Sequence, residues 1–178
     1  MKKIFFVSFC SVVLLSFHAS AQGRRSRVVV QEQPQWTWDL GAAAGTYGGY
    51  SYSEIDLGLN DHFWNYLNWR NVVWDRFGSA SAISALGLDS SLRYEFTDHG
   101  DGGVGFRFFA GPGVRVSSSQ YSGVFAEGGM IFRIGSFSLG AGVKALKYSS
   151  PGNDPVTGVQ LPGTDLMYFI ILSGGGAL

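Results

Sequence analysis

From residue 36 onward, hydrophobic and polar positions alternate with a period of two, the spacing at which successive side chains face opposite sides of a β-strand. In 36–46, Trp36, Trp38, Leu40, Ala42 and Ala44 alternate with Asp39, Gly41 and Gly45. In 50–60, Ile55, Leu57 and Leu59 oppose Glu54, Asp56 and Gly58. The segment 63–77 is less regular, with Leu67, Trp69 and Val73 set against Asn68 and Arg70. In 86–96, Leu86, Leu88, Leu92, Tyr94 and Phe96 oppose Asp89, Ser91, Arg93 and Glu95. Three further segments, 104–116, 124–134 and 137–145, place Arg107, Arg115, Glu127, Arg133 and Lys144 opposite Phe106, Phe108, Val114, Met130, Phe132, Leu139 and Val143. The last, 165–173, is apolar on both faces. With turn residues at short intervals between them, these segments predict an all-β fold of eight antiparallel strands.

Alternation alone does not say which face points inward. A soluble barrel hides its apolar face, whereas a membrane barrel turns that face to lipid. The polar faces here carry Asp39, Glu54, Asp56, Asp89, Glu95 and Glu127 against Arg93, Arg107, Arg115, Arg133 and Lys144. Near-equal acids and bases, with arginine favoured, suit a buried paired network better than a solvated coat. Glycine is common on the same faces and makes room for long charged chains. Aromatic residues gather near strand ends (Trp36 and Trp38, Phe63 and Trp64, Tyr94 and Phe96, Tyr148), as interfacial girdles do. Residues 35–178 are therefore expected to form an eight-stranded antiparallel up-and-down transmembrane β-barrel with a closed polar interior. An eight-stranded barrel is just wide enough for side chains to fill, so the network is expected to plug the lumen.

The N-terminal residues carry a different signal. Met1-Lys2-Lys3, an apolar stretch from Ile4 to Phe17, and Ala19-Ser20-Ala21 have the order of a secretory signal peptide. Residues 1–21 are expected to be removed, which puts the remainder outside the cytoplasm. Residues 22–34, with Arg24, Arg25 and Arg27, read as a flexible periplasmic arm. Counting strands from a periplasmic start puts turns at 61–62, 97–103 and 135–136 on the periplasmic side and 48–49, 78–85, 117–123 and 147–164 outside. The longest connection then falls on the external side, as it does in bacterial barrels.

In these features the chain resembles the small eight-stranded bacterial outer-membrane barrels typified by the OmpA transmembrane domain and OmpX. The resemblance implies residence in the outer membrane, contact with its lipid and insertion by the outer-membrane assembly machinery. It differs at the C-terminus, where Gly174-Gly175-Gly176-Ala177-Leu178 lacks the terminal aromatic residue of that group.

Composition narrows the function classes. Thirteen basic and 13 acidic residues give a formal net charge of zero, which speaks against nucleic acid as a partner. The one cysteine, Cys10, lies in the signal segment, and no metal or cofactor motif is found. Gly100-Asp101-Gly102-Gly103-Val104-Gly105 fits a dinucleotide fingerprint in letters, yet Phe106 to Gly113 cannot continue as the required helix. Asp98, Asp101, Asn153 and Asp154 lack calcium-loop spacing and read as turn residues. His62 and His99 each follow an aspartate, a pairing open to acid–base chemistry. Barrels that modify lipid A carry a histidine near the outer rim, whereas both of these fall in predicted periplasmic turns and read as passive. The resulting expectation is a structural or surface-interacting barrel without catalytic role, any surface partner meeting residues 117–123 and 147–164. The competing readings are a narrow channel, a lipid-modifying barrel enzyme and a secreted lipocalin-like binder of an apolar ligand.

Overall fold

The computed structural model describes residues 36–64, 66–79, 83–99, 104–135, 137–154 and 156–174; residues 1–21 and 22–34, read from the sequence as signal peptide and arm, lie outside them. Eight strands follow one another: β1 (Trp36–Tyr47), β2 (Tyr50–Trp64), β3 (Leu67–Gly78), β4 (Ala85–His99), β5 (Val104–Ser117), β6 (Gly123–Ile134), β7 (Phe137–Tyr148) and β8 (Thr164–Gly174). Each pairs antiparallel with its neighbours in sequence, and β1 pairs with β8 to close the barrel. Ala42 lies opposite Ile170 at that seam, and Ala44 opposite Tyr168. Closure leaves no strand edge with unpaired backbone groups, the condition for crossing lipid with strands.

Period-two alternation sorts the side chains as the sequence implies. Leu57, Leu139 and Ile170 stand on the outer wall, each more than half exposed. Asp39, Glu54, Asp56, Asp89, Arg93, Glu95, Arg115, Glu127 and Lys144 are buried inside. Such a surface can be stable only where hydrocarbon replaces water. The interior also holds rings, among them Tyr47, Tyr52, Trp74, Phe109, Phe125 and Tyr148. Inward glycines make room for these rings as well as for charges. A methyl on Gly87 would come within 2.3 Å of the Trp74 ring, and one on Gly58 within 2.5 Å of the Asp39 carboxylate.

The two ends of the barrel differ. At the turn end, where β1 begins, exposed rings stack in a belt. Phe63 pairs with Trp69, Trp64 with Tyr66 and Phe106 with Phe132, at centroid distances of 6.3, 5.9 and 6.3 Å. Tyr148, expected in such a belt, points into the lumen instead, because it shares the inward parity of Lys144 and Leu146. At the loop end, Gly48 and Gly49 have φ of 60° and 87°, the two positive values that a type I′ hairpin requires. The 147–164 connection is more ordered than its proline- and glycine-rich composition suggests. Asn153 bridges to Gln160, and the Asp154 carboxylate accepts the N–H groups of Val156 and Thr157, each at 2.8 Å.

The β2–β3 connection departs from expectation. Asn60-Asp61-His62 has turn-like composition, yet β2 runs on to Trp64 through a register shift between His62 and Trp64. The irregularity absorbs the extra residue while Phe63 and Trp64 stay on the outer wall. His62 is thereby a strand residue. Likewise β4 reaches His99, whose side chain lies outside the described part. On the outer wall, Pro112 brings no N–H to the β4–β5 ladder. Paired positions pass directly from Ser91–Gly113 to Tyr94–Ala110.

Candidate active site

The lumen is filled in layers. Nearest the loop end, Arg76 donates to Glu54 at 2.6 Å and to the Tyr148 hydroxyl at 3.2 Å. The Tyr52 and Tyr148 hydroxyls in turn donate to Asp165 at 2.7 and 2.8 Å. Below them, Arg115 bridges Asp89 (2.7 and 2.8 Å) and Glu54 (2.8 and 3.0 Å), with Lys144 on Asp89 at 2.7 Å. Its guanidinium lies 4.1 Å from the centroid of the Trp74 ring. The next layer holds Arg93 on Glu127 at 2.8 Å and Arg70 on Asp39 at 3.0 Å. Asn60 also donates to Asp39, at 2.7 Å.

Three members of the expected network sit differently from a simple pairing. Asp56 is buried without an ion pair among the described residues, and its Oδ1 has no hydrogen-bond partner. Arg107 meets Glu95 at 3.2 Å but keeps 21% of its side chain exposed. Arg133 lines a cavity at the turn end, with no ion pair among the described residues. The expected network left out Arg70, although the polar face of 63–77 included it, and Arg76, which shares its parity and that of Asn68 on β3. Asp165, the second residue of β8, precedes inward residues, Met167, Phe169 and Ile171, that are apolar and gave no sign of a polar lining.

The turn end of the lumen brings together groups that the sequence kept apart. His62, on β2, has only 8% of its side chain exposed. Its Nε2 lies 3.3 Å from the Thr37 hydroxyl on β1, and its Nδ1 lies 3.5 Å from Glu95 Oε2 on β4. The reading of His62 as a solvated turn residue is thus corrected, because the extension of β2 carries it into the lumen. Glu95 is fixed from two further sides, by Asn68 Nδ2 at 2.8 Å and by Arg107. With the imidazole proton on Nδ1, facing Glu95, Nε2 is left to accept the Thr37 proton. A hydroxyl, an imidazole in reach of it and a carboxylate orienting that imidazole form the arrangement that activates an oxygen nucleophile. The separations are slightly long for hydrogen bonds, as is common before a substrate binds. Among the described residues no group of His, Cys, Asp or Glu is placed to hold a metal ion.

Outside the wall runs an apolar groove lined by Phe63, Trp69, Leu92, Pro112, Val114 and Val124. Phe63, the residue after His62, stands at its end nearest the turns.

The chain is a small eight-stranded barrel of the outer-membrane type, closed, antiparallel and apolar on its lipid-facing wall. Among solved structures it is similar to the crystal structure of the outer membrane enzyme PagL, with a TM-score of 0.51 and 19% identity, covering 76% of this chain and 97% of that one. No family model and no curated protein matches the sequence. At this identity the likeness speaks for the fold. It nonetheless corrects the expectation of a structural or surface-interacting barrel without catalytic role, since the matching fold is that of an enzyme.

Proposed function

We propose that the protein is an outer-membrane barrel enzyme that modifies lipid by cleaving or transferring an acyl ester. Residues 1–21 would direct its secretion and residues 22–34 would lie in the periplasm, which makes the turn end the periplasmic end. The observation that carries the reading is the Thr37–His62–Glu95 relay. Support for a lipid substrate comes from the enzyme whose fold it shares and from the apolar groove on the outer wall, one of whose lining residues, Phe63, follows His62 in the chain.

In this mechanism His62 Nε2 takes the Thr37 proton as the hydroxyl oxygen bonds to the ester carbonyl carbon. Glu95 stabilises the imidazolium that results. Collapse of the tetrahedral adduct breaks the bond to the alcohol oxygen, which leaves with the proton from His62, and the acyl group stays on Thr37. Water or a second alcohol, deprotonated by His62, then attacks the acyl-threonine and releases the acyl group.

The test is ester cleavage by the refolded full chain in mixed micelles of detergent and glycerophospholipid. Thr37→Ala and His62→Gln should each lower the rate by about 10²- to 10⁴-fold, the usual contribution of such groups. Both should keep the heat-dependent gel shift of a folded barrel. Wild-type rates in both variants would remove the relay from the chemistry.

A further inference from the structure

The Glu95 carboxylate has two oxygens, and only one orientation of it serves His62. Oε2 faces the imidazole Nδ1 at 3.5 Å and Arg107 at 3.2 Å. Oε1 is held by Asn68 Nδ2 at 2.8 Å. Asn68, on β3, lies directly opposite His62 of β2, and Glu95 lies two residues beyond its other partner, Arg93 of β4. Residues so placed share one face of a sheet and are near enough to interact. The amide therefore reaches the carboxylate from the strand between imidazole and carboxylate, and it is buried there.

Its surroundings fix the direction of this amide. Asn60 Nδ2 donates to the Asp39 carboxylate at 2.7 Å, so Asn60 turns its Oδ1 to Asn68. Asn68 can meet that oxygen only with an N–H, which it does at 3.0 Å. Both hydrogens of the Asn68 amide are thus used, one on Asn60 and one on Glu95. A chain of hydrogen bonds runs in this way from the Arg70–Asp39 pair to the relay. Its last donor is neutral. A lysine or arginine in this place would hold the carboxylate as well, but would offset the charge that stabilises the imidazolium. Asn68 Oδ1, for its part, is buried without a hydrogen-bond partner. A buried acceptor left unpaired costs stability, so packing alone does not account for an asparagine here.

We propose that Asn68 is a positioning residue of the relay, which holds Glu95 with Oε2 toward His62 Nδ1 and so keeps the imidazole proton on that nitrogen. The assignment rests on the enzyme reading for the reaction that this orientation serves. Without the Asn68 donor the carboxylate can turn toward Arg107. The imidazole can then carry its proton on Nε2, where it cannot accept the one from Thr37.

The test is Asn68→Leu, close in size but without a donor, in the refolded full chain. Nitrogen-15 NMR of histidine-labelled protein in micelles, with the imidazoles uncharged, reports which ring nitrogen of His62 carries the proton. The His62 signals are those that His62→Gln removes. The wild type should show a protonated Nδ1, and Asn68→Leu a proton shared between Nδ1 and Nε2. In the mixed micelles kcat for ester cleavage should fall by about 10²-fold, the usual effect of a small misplacement, with KM changed by no more than about twofold. An unchanged His62 signal in a variant that keeps its heat-dependent gel shift would overturn the proposal, whether kcat stayed at the wild-type value or fell through altered packing. If Asn68→Leu does not refold, Asn68→Ser, whose hydroxyl is too short to reach Glu95, gives the same readings. A wild type without ester cleavage would remove the enzyme reading, and the His62 signal would still decide whether Asn68 orients the imidazole.

Discussion

The two ends of one lumen solve the burial of charge in opposite ways. At the loop end Tyr47, Tyr121 and Tyr148 pack edge to face at centroid distances of 5.1 to 5.8 Å, sealing the interior. The Tyr47 hydroxyl reaches back to the Pro162 carbonyl at 2.6 Å and ties the long loop over the rim. Arg76 beneath this lid is wholly buried and stacks 3.9 Å from the centroid of the Tyr52 ring. At the turn end Arg107 remains partly exposed and Arg133 faces an open cavity. A sealed end must satisfy every charge from within, because an unpaired one costs several kcal/mol in a dry site. An open end can leave charge for water or a ligand to complete. Solvent therefore has access at the turn end and none beneath the tyrosine lid.

That contrast can be broken by removing the same cation at each depth. Arg115→Ala should cost about 3 kcal/mol, because in a dry layer it leaves Asp89 with Lys144 alone and Glu54 with Arg76 alone. Arg107→Ala, near the open mouth, should cost only about 1 kcal/mol, since this guanidinium is already partly solvated and Glu95 keeps Asn68 and His62 as partners. Urea unfolding of the refolded barrel measures both, and equal losses would mean that the two ends are equally dry. A smaller effect is expected at the lid. Tyr148→Phe removes one hydrogen bond to Asp165 and two from Arg76, and should lower stability by about 1–2 kcal/mol in the same assay. No change would show that the lid holds by ring packing alone.

The smallest effect concerns the loop over the lid. Hydrogen bonds from the Thr157 and Val156 N–H groups hold the Asp154 carboxyl below its ordinary range. A carboxyl lowered in the folded loop stabilises it above the ordinary value of about 3.9, and that support is lost as pH falls through the lowered value. Hydrogen exchange at the Val156 and Thr157 amides, corrected for intrinsic rates, should thus lose protection only on strong acidification. Asp154→Asn should make protection independent of pH over that range. Persistence of the acid loss in that variant would assign it to another group.

The strands were legible because lipid outside and ions inside repeat every second residue, most cleanly from Leu86 to Phe96. β3 was harder to read. Its outward face includes Asn71 and Asp75, and its inward face Val72 and Trp74, so polarity no longer tracks direction. Arg76 was missed for that reason, and Arg70, although set on the polar face, was not counted in the network. The relay was hidden by a different cause. Asn60-Asp61-His62 satisfies local turn preferences, and only cross-strand pairing shows β2 continuing past it. Thr37, His62 and Glu95 come from three strands, and their meeting follows from register and barrel curvature. No local sequence spacing encodes it.

The pairing of β1 with β8 has a kinetic side. Every other pair joins strands adjacent in the chain, whose ends are brought together by one intervening connection. The entropic cost of closing a connection grows slowly, by about 0.6 kcal/mol for each doubling of its length, so these hairpins can form early. The seam from Trp38 to Gly174 spans nearly the whole sheet and cannot zip until seven strand pairs have curled it round. Its appearance should set the pace of barrel assembly, as non-local pairing does in slow-folding β proteins. The strand that opens the barrel, with Ala42, Ala43 and Ala44 at its middle, presents small side chains to the strand arriving last.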